Sequence, residues 1–340
     1  MITFDFRLRP SRQPWLGRAL CAAAVLAAGY SGAGLAQWQP TKNVEIIVNT
    51  SPGGGLDQFA RFLHKLIQSQ RTLPVTSSVV NKPGGGGTIG LVYLNQHAGD
   101  GHYVMVATPT FLTNHILGRS NISVGDVTIV TEMFSEYVAI MVRADSPLKD
   151  GRDLVAALRK DPAGLSIGIA TSLGNHNHTG IALPLKAAGV DVRKLRAVIF
   201  NSVADANTAL LGGHIDVVPT PPGNVVALAG SGKIRGLAIS APARISGPYA
   251  NVPTWKELGI DRVASTTRNV LGPKGMPPEQ VAFWEAALSR IAKSPEWAED
   301  LERRLLNNTF KLSAEVTAHM RQQYEELKQV LTDLGMVTPK

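Results

Sequence analysis

The feature that most constrains the fold is a repeated alternation of short β-branched runs with helical patterns, which begins at Val44. Runs such as "VEIIVN" (44–49) are typical of buried strands, whereas "LDQFARFLHKLIQSQ" (56–70) repeats apolar residues at helical spacing. Strands that alternate with helices predict a mostly parallel α/β sheet with helices on both faces. Further strands are predicted at 75–81, 103–108, 137–143, 165–171, 195–200, 215–219 and 234–240, and the chain from about Pro277 is predicted to be mainly helical.

The centre of the chain can be read as a unit of its own. The segment "VRADSPLKDGRDL" (142–154) leaves a strand and begins a fresh series of strands and helices, and that series ends near "LAISAPARISG" (237–247). This pattern fits a domain inserted between two parts of another domain.

The N-terminus has the composition of a secretory signal peptide, residues 1–36. Four arginines precede the apolar run "ALCAAAVLAAG" (19–29), and "AGLAQ" offers a cleavage site after Ala36. The apolar run is too short to cross a bilayer. We therefore expect an exported, periplasmic protein that loses Cys21 with its signal and keeps no thiol for a disulfide, a nucleophile or a metal.

The charge of the chain argues against nucleic acid as a partner. Removal of residues 1–36 takes away four Arg and one Asp, so the formal net charge falls from +8 to +5. The remaining Lys and Arg are scattered and form no basic stripe with interleaved aromatic residues. A mildly basic exported protein suits small anionic ligands at least as well.

Three turns between a strand and a helix are rich in glycine or small polar residues: "TSPGGGLD" (50–57), "NKPGGGGTIG" (81–90) and "ATSLGNHNHTG" (170–180). Each places free backbone N–H groups at the N-terminus of a helix, where the helix dipole is positive. Such ends bind anions without a charged side chain, and in an open α/β sheet they lie where ligands sit. The turns predict a site for a small anion.

Cofactor and catalytic motifs are weak or missing. Gly85, Gly87 and Gly90 match the dinucleotide fingerprint G-x-G-x-x-G, but the acidic residue expected about 20 residues later is missing. Neither glycine turn has the Gly-Lys-Ser/Thr of a P-loop, and the chain has no G-x-S-x-G elbow. We expect no cofactor and no catalytic residue.

Titratable residues near the turns have plain structural explanations. His176 and His178 could ligate a metal, but no H-E-x-x-H motif or carboxylate cluster supports one, so no metal site is predicted. Asp57 could act as a base, but an Asp in the first turn of a helix usually satisfies the helix N-terminus.

Several segments, in order, resemble the Bug family, the periplasmic solute-binding proteins of tripartite tricarboxylate transporters. They include "PGGGLDQFAR" (52–61), "VVNKPGGGGTIG" (79–90), "LGNHNHTGIAL" (173–183), "ALLGGHIDVV" (209–218) and "GPKGMPPEQV" (272–281). The resemblance covers about Val44 to Val337.

The resemblance implies a two-domain α/β protein of the type II periplasmic binding fold, in which mixed sheets flanked by helices enclose a ligand cleft. It places domain I at 37–140 and 241–340 and domain II at 141–240. It implies capture of a small organic anion, a mono- or dicarboxylate, by helix N-termini and Ser/Thr hydroxyls. Delivery to membrane permease subunits follows, and we expect a monomer that is not an enzyme.

Carried over by position, the resemblance predicts a set of ligand-binding residues in the glycine turns and at strand ends. They are Ser51, Pro52, Gly53, Gly54, Asp57, Gly86, Gly87, Thr88, Thr108, Thr171, Ser172, Gly174, Asn175, His178, Ser202 and Thr220. Arg268 joins them, because the run "TTRNVLGP" replaces the Trp-x-Gly run common in the family and its arginine could clamp a second carboxylate.

Two other functions stay open at this point. An enzyme acting on a small organic acid would use Asp57 and His178 in the cleft, and turnover would reveal it. A periplasmic sensor would bind the ligand and then dock on a signalling receptor.

Overall fold

The computed structural model describes residues 1–3 and 38–337. Apart from residues 1–3, the predicted signal peptide lies outside the described residues, and so do Cys21 and the cleavage site after Ala36. In the described part of the chain, no helix is both long enough and apolar enough to cross a membrane.

Strands and helices alternate through most of the described chain. We label the strands β1 (Val44–Val48), β2 (Ser77–Asn81), β3 (Tyr103–Ala107), β4 (Thr128–Tyr137), β5 (Ala139–Arg143), β6 (Ser166–Ala170), β7 (Arg196–Phe200), β8 (Val217–Thr220), β9 (Ile234–Ile239), β10 (Ser265–Gly272) and β11 (Lys311–Leu312). The helices are α1 (Gly55–Ser69), α2 (Thr88–Asn95), α3 (Thr110–Ile116), α4 (Gly151–Lys160), α5 (His176–Ala187), α6 (Val203–Leu211), α7 (Val226–Gly230), α8 (Pro278–Ala292), α9 (Pro295–Arg303) and α10 (Ser313–Asp333).

The first sheet has the strand order β11-β4-β10-β3-β1-β2. Strand β1 pairs in parallel with β2 and β3, whereas β10 runs antiparallel to both β3 and β4. Helix α1 covers this sheet with an apolar stripe that includes Phe59, Leu63 and Leu66, all buried. The helical spacing of these residues is the pattern that the sequence shows.

The second sheet has the order β7-β6-β8-β5-β9. Strand β6 pairs in parallel with β7 and β8, and β5 runs antiparallel to β8 and β9. Its core joins Ile167 and Ile169 of β6 to Leu185 of α5 and Val217 of β8. Both sheets are therefore mixed, as the family resemblance implies, and less parallel than the simple alternation predicts.

The chain passes between the two sheets at two neighbouring places. The first passage is at Val138, between β4 and β5, and the second is the segment 240–264, between β9 and β10. The Ser240 N–H donates to the Val138 carbonyl at 2.8 Å, so the two passages are hydrogen-bonded to each other. Residues 39–340 group as one unit by backbone contacts, so the division into domains at 37–140 with 241–340 and at 141–240 stays a prediction.

Two central strands, β4 and β10, are not among the predicted strands. Strand β10 has the sequence "STTRNVLG", in which Thr266, Thr267, Arg268 and Asn269 are buried although they are polar. Apolar periodicity, the main sequence signal of a strand, is therefore missing there. The predicted run 137–143 in fact spans the end of β4, the passage at Val138 and β5.

A polar cavity between the two sheets

A small cavity lies between the ends of strands from both sheets. Its volume is about 40 Å³. That room suits roughly three water molecules or part of a compact ligand. The first sheet and its connections contribute Asn49, Thr50, Gly54, Gly55, Leu56, Gly86, Thr108, Thr110 and Arg268, and the second contributes Ala170, Thr171, His176, Asn177, Ser202, Val203 and Asn224.

The N-terminus of α1 borders the cavity and carries no side-chain cap. Gly54 is its N-cap residue, and Gly54, Gly55 and Leu56 all line the cavity. Helices α5 and α6 of the second sheet differ, because Asn175 caps α5 at the His178 N–H and Ser202 caps α6 at the Asp205 N–H. The first turn of α1 therefore keeps more of its N–H groups for an anion.

Asp57 stabilises the first glycine turn by hydrogen bonds and does not line the cavity. Its carboxylate accepts hydrogen bonds from the Gly53 N–H at 2.9 Å, from Arg61 Nε at 2.9 Å and from Asn81 Nδ2 at 3.0 Å. Burial alone raises the pKa of Asp57, but these hydrogen bonds and the Arg61 charge lower it overall. The residue is held as a paired carboxylate in the turn.

The second glycine turn also lies close to the second sheet. Gly86 lines the cavity at a φ of +64°, and its carbonyl accepts from Asn114 Nδ2 at 2.9 Å. A Cβ at this position would lie 3.1 Å from Cβ of Ser172, which belongs to the turn after β6. Thr108, which follows β3, shares a 2.8 Å hydrogen bond with Thr110.

The third turn connects β6 to α5 and is held by its own side chains. Thr171 lines the cavity with a φ of +65°, and Asn175 Nδ2 donates to its hydroxyl at 2.8 Å. His178 does not line the cavity. Its Nδ1 accepts a hydrogen bond from the Gly174 N–H at 3.1 Å. Burial, with a smaller contribution from the Arg119 charge, lowers the pKa of His178 to about 4.

Arg268 lines the cavity from β10 and is buried. It is ion-paired with Glu136 of β4, and its Nη1 has no hydrogen-bond partner in the described chain. Burial lowers the pKa of Arg268 although the Glu136 charge opposes this effect. Among the described lining residues, Arg268 is the one with a full positive charge.

Of the residues predicted to bind the ligand, six line the cavity: Gly54, Gly86, Thr108, Thr171, Ser202 and Arg268. The others do not line it: Ser51, Pro52, Gly53, Asp57, Gly87, Thr88, Ser172, Gly174, Asn175, His178 and Thr220. Thr220, for example, is buried and donates to the Pro221 carbonyl at 3.4 Å.

Several lining residues were not predicted to bind the ligand. Asn49 and Thr50 directly follow β1, so the rule that ligands sit beyond the carboxyl ends of strands could have found them. His176 and Asn177 lie in the third turn (170–180), which the sequence predicts to take part in an anion site. Asn224 reaches the cavity from the connection after β8, next to Gly55, and only the fold brings these two segments together.

Seven buried polar atoms without a partner belong to residues that line this cavity, and the described chain has others elsewhere. The seven are Asn49 Oδ1, Thr50 Oγ1, both ring nitrogens of His176, Asn177 Oδ1, Asn224 Nδ2 and Arg268 Nη1. Buried polar groups are nearly always hydrogen-bonded in folded proteins, so this set is built to meet a polar molecule. Within residues 38–337, no three His, Cys, Asp or Glu side chains are grouped so that they could hold a metal ion.

Comparison with known proteins agrees with this architecture. The family model described as tripartite tricarboxylate transporter family receptor matches residues 60–336. A relative from Cupriavidus necator, the UPF0065 protein in the gbd 5'region, is 26% identical over 330 residues, which cover 96% of this chain and 98% of the relative.

Two solved structures are similar to this chain. The TctC solute-binding protein from Polaromonas is 28% identical, with a TM-score of 0.61, and the match covers 86% of this chain and 99% of that protein. MatC from Rhodopseudomonas palustris, solved with bound malate, is 21% identical and shares the fold with a TM-score of 0.76, over 86% of this chain and 99% of MatC.

The matching family model is that of a receptor and the Polaromonas protein is a solute-binding protein, and this chain is likewise a receptor of that type and not an enzyme. The mixed α/β fold and the family that the resemblance of the ordered segments implies are thereby confirmed. The chain belongs to the family of tripartite tricarboxylate transporter receptors, the TctC-like solute-binding proteins.

Proposed function

We propose that this receptor works in the periplasm, binds a small organic anion, a mono- or dicarboxylate, in the cavity between its two sheets, and delivers it to membrane permease subunits. The observation that carries the proposal is the meeting of two anion-binding features in one cavity. These are the uncapped N-terminus of α1 and the buried Arg268 with its unpaired Nη1.

The N-terminus of α1 suits one carboxylate. The backbone N–H groups of its first turn have no partner inside the helix, and the helix dipole favours negative charge there. Gly54 and Gly55 have no side chain, so a ligand can approach the backbone closely. Asp57 does not oppose this charge, because its own carboxylate is neutralised by Arg61.

Arg268 suits a second anionic or polar end of the ligand. It lies on β10, and β3 separates β10 from β1, after which α1 begins. Neighbouring strands lie about 4.8 Å apart, so the two features are separated by roughly 10 Å at the backbone, and the Arg268 side chain shortens this distance. The hydroxyls of Thr108 and Thr110 lie between them at the end of β3. Malate bound to a protein of the same fold is a ligand of this class.

Binding is proposed to proceed by hinge closure. The ligand docks on one sheet, and the other sheet then rotates about the two passages at Val138 and 240–264. We place the hinge strands near 139–143 and 238–243, the predicted boundary of the two domains. Small-angle scattering with and without a tight ligand should show the protein becoming more compact, and unchanged scattering with a saturating ligand would contradict closure.

A thermal-shift screen tests the proposal. Mono- and dicarboxylates, aromatic acids and sulfonates are added to the purified protein, each beside its uncharged amide. An acid at about 100 times its Kd should add roughly 2.7 kcal/mol to the free energy of unfolding, and its amide should add little. Equal stabilisation by acid and amide, or no stabilisation by any acid, would overturn the proposal.

A matched pair of variants locates the binding. Arg268→Met should abolish the stabilisation by acids, whereas Arg193→Met, which removes an exposed arginine outside the cavity, should preserve it. Loss of the stabilisation in both variants would point to a general effect of charge.

A further inference from the structure

The guanidinium of Arg268 serves two directions. Its Nη2 is ion-paired with the Glu136 carboxylate of β4, whereas its Nη1 has no hydrogen-bond partner in the described chain, and Arg268 lines the cavity. Both side chains of the pair are buried, so water and salt screen the two charges little. An anionic end of the ligand that meets Nη1 therefore shares one positive charge with a carboxylate that already holds Nη2.

The ligand carboxylate and the Glu136 carboxylate would lie close together. Nη1 and Nη2 belong to one planar group, and a charge-assisted hydrogen bond is about 2.8 Å long, so the two acceptor oxygens are roughly 5–6 Å apart. At such a distance a like charge disfavours the ionised form of a carboxyl group. When two carboxylates share a buried site, one of them commonly holds a proton.

The charges around Glu136 do not remove this competition. Arg304, which follows α9, also acts on Glu136, but Arg304 Nε is paired with the Asp300 carboxylate at 3.0 Å. Burial raises the pKa of Glu136 by more than the Arg268 and Arg304 charges lower it. Glu136 is therefore a carboxyl group that one further negative charge can bring to take up a proton.

The other elements that pack against β4 have their own pairs. Strand β11 and helices α8 and α10 contact β4. Lys311 of β11 is ion-paired with Glu315 of α10 at 3.3 Å, and Glu285 of α8 accepts a hydrogen bond from the Ser313 N–H at 2.8 Å. The charges that act on Glu136 are those of Arg268 and Arg304.

Resting on the proposed function, we propose that Glu136 is a proton-binding site linked to the cavity: when an anionic end of the ligand meets Arg268, Glu136 takes up a proton from solvent. The proton adds to a carboxylate oxygen of Glu136 and makes a neutral carboxylic acid, so the guanidinium balances the charge of the ligand alone. The bound receptor then holds more protons than the free receptor. Its affinity for the anion therefore rises as the pH falls.

His176 is the other titratable group beside Arg268. Its ring lines the cavity, and burial together with the Arg268 charge holds its pKa well below the ordinary value. Arg268 opposes a second positive charge on His176, whereas a proton on Glu136 removes the competitor for the same guanidinium. The proton is therefore assigned to Glu136.

Isothermal titration of the purified protein with acetate, succinate, malate and adipate measures the proton uptake. Each acid is titrated between about pH 6.5 and 8 in buffers that differ in their enthalpy of ionisation, so that the heat reports the protons exchanged. A protonated acid that binds as an anion releases its proton, so the acid itself cannot imitate uptake. For the acid that binds most tightly, the uptake should reach at least about 0.3 proton per bound anion, and Kd should then rise about twofold per pH unit.

The outcomes of this titration separate the inference from the proposed function. A smaller uptake at every pH tested, with binding intact, would overturn the inference and leave the proposed function standing. Absence of binding by all four acids would overturn both.

Matched glutamine variants test the assignment to Glu136. Glu136→Gln should lose the uptake and, at pH 8, should bind the acid more tightly than the unmodified protein, because no carboxylate competes for Arg268. The control Glu132→Gln removes another buried glutamate of β4 that does not line the cavity, and it should keep the uptake and the affinity. Uptake retained in Glu136→Gln would overturn the assignment, and its loss in His176→Phe would then place the proton on the histidine.

Difference infrared spectroscopy observes the proton without any substitution, which matters if Glu136→Gln fails to fold because Arg268 has lost its charged partner. Addition of the acid should produce the carbonyl band of a protonated carboxylic acid. The band should stay in place when the carboxylates of the added acid are isotope-labelled, because it belongs to the protein. Absence of the band, or a band that shifts with the label, would overturn the inference.

Discussion

Arg268 of β10 and Glu136 of β4 form an ion pair inside the protein, with side chains only 4% and 3% exposed. The pair lies on adjacent antiparallel strands, where Thr266 is opposite Glu136 and Arg268 is opposite Phe134. Arg268 also lines the cavity between the sheets, so one guanidinium connects a buried carboxylate to that cavity. A substitution of Arg268 is therefore expected to change both the stability of the fold and the proposed binding.

Removal of Arg268 alone should affect both properties. Arg268→Met leaves the Glu136 carboxylate buried without its partner, and breaking a buried pair in this way destabilises a protein by about 3–5 kcal/mol. The double variant Glu136→Gln/Arg268→Met removes both charges and should recover most of that stability, but it should still fail to bind organic anions. Urea unfolding and isothermal titration measure the two effects. Binding by the double variant as tight as that of the unmodified protein would show that Arg268 is not an anchor for the anion.

Asp57 should stabilise the fold in a pH-dependent way. Its folded-state pKa is lowered, because hydrogen bonds and the Arg61 charge outweigh the opposite effect of burial. A group with a depressed pKa contributes stability that is present above its unfolded pKa of about 3.9 and is lost as the pH falls through the folded pKa. The free energy of unfolding should therefore drop below about pH 4, and Asp57→Asn should weaken this drop. Identical acid unfolding curves for the variant and the unmodified protein would contradict the prediction.

His178 should make the protein less stable in mild acid. Its folded pKa of about 4 is lower than the unfolded value of about 6.5, so the unfolded state binds more protons between these two pH values. The resulting stability is complete above about pH 6.5 and decreases by about 3 kcal/mol as the pH falls to 4. His178→Asn keeps an acceptor for the Gly174 N–H and should remove this part of the dependence. Because His176 acts in the same direction, the variant should keep a smaller slope, and a slope equal to that of the unmodified protein would contradict the assignment.

Closure over the ligand should be sensitive to a single methyl group at Gly86. Gly86→Ala adds a Cβ that would lie 3.1 Å from Cβ of Ser172 in the turn after β6, so the two sheets could not approach as closely. Gly85→Ala is a matched control: its φ of +58° is strained for alanine like the +64° of Gly86, but its Cβ would make only ordinary contacts with Thr88 and Ile89. Both variants should lose about 1–2 kcal/mol of stability from the left-handed backbone, and only Gly86→Ala should lose most of its ligand affinity. Equal affinities in the two variants would argue against closure at this turn.

The elements that the sequence predicts well are those whose side chains repeat in a simple period. The apolar stripe of α1 and the β-branched run of β1 have such a period, and the glycine turn between them is visible because only glycine suits its backbone. These local signals, taken in order along the chain, are enough to indicate the fold class and the family. They also indicate that the first turn faces a small anion.

Tertiary structure decided the composition of the cavity. Strand β10 is buried although Arg268 and Asn269 are among its residues, so no apolar pattern indicates a strand there. Its antiparallel pairing with β4 joins segments more than 100 residues apart. Asn224 meets Gly55 only because the two sheets face each other. Sequence periodicity reports which face of an element is buried, whereas the partners of a buried polar atom depend on packing between distant segments. For this reason the fold class and the family were readable from the sequence, and the set of side chains that line the cavity was not.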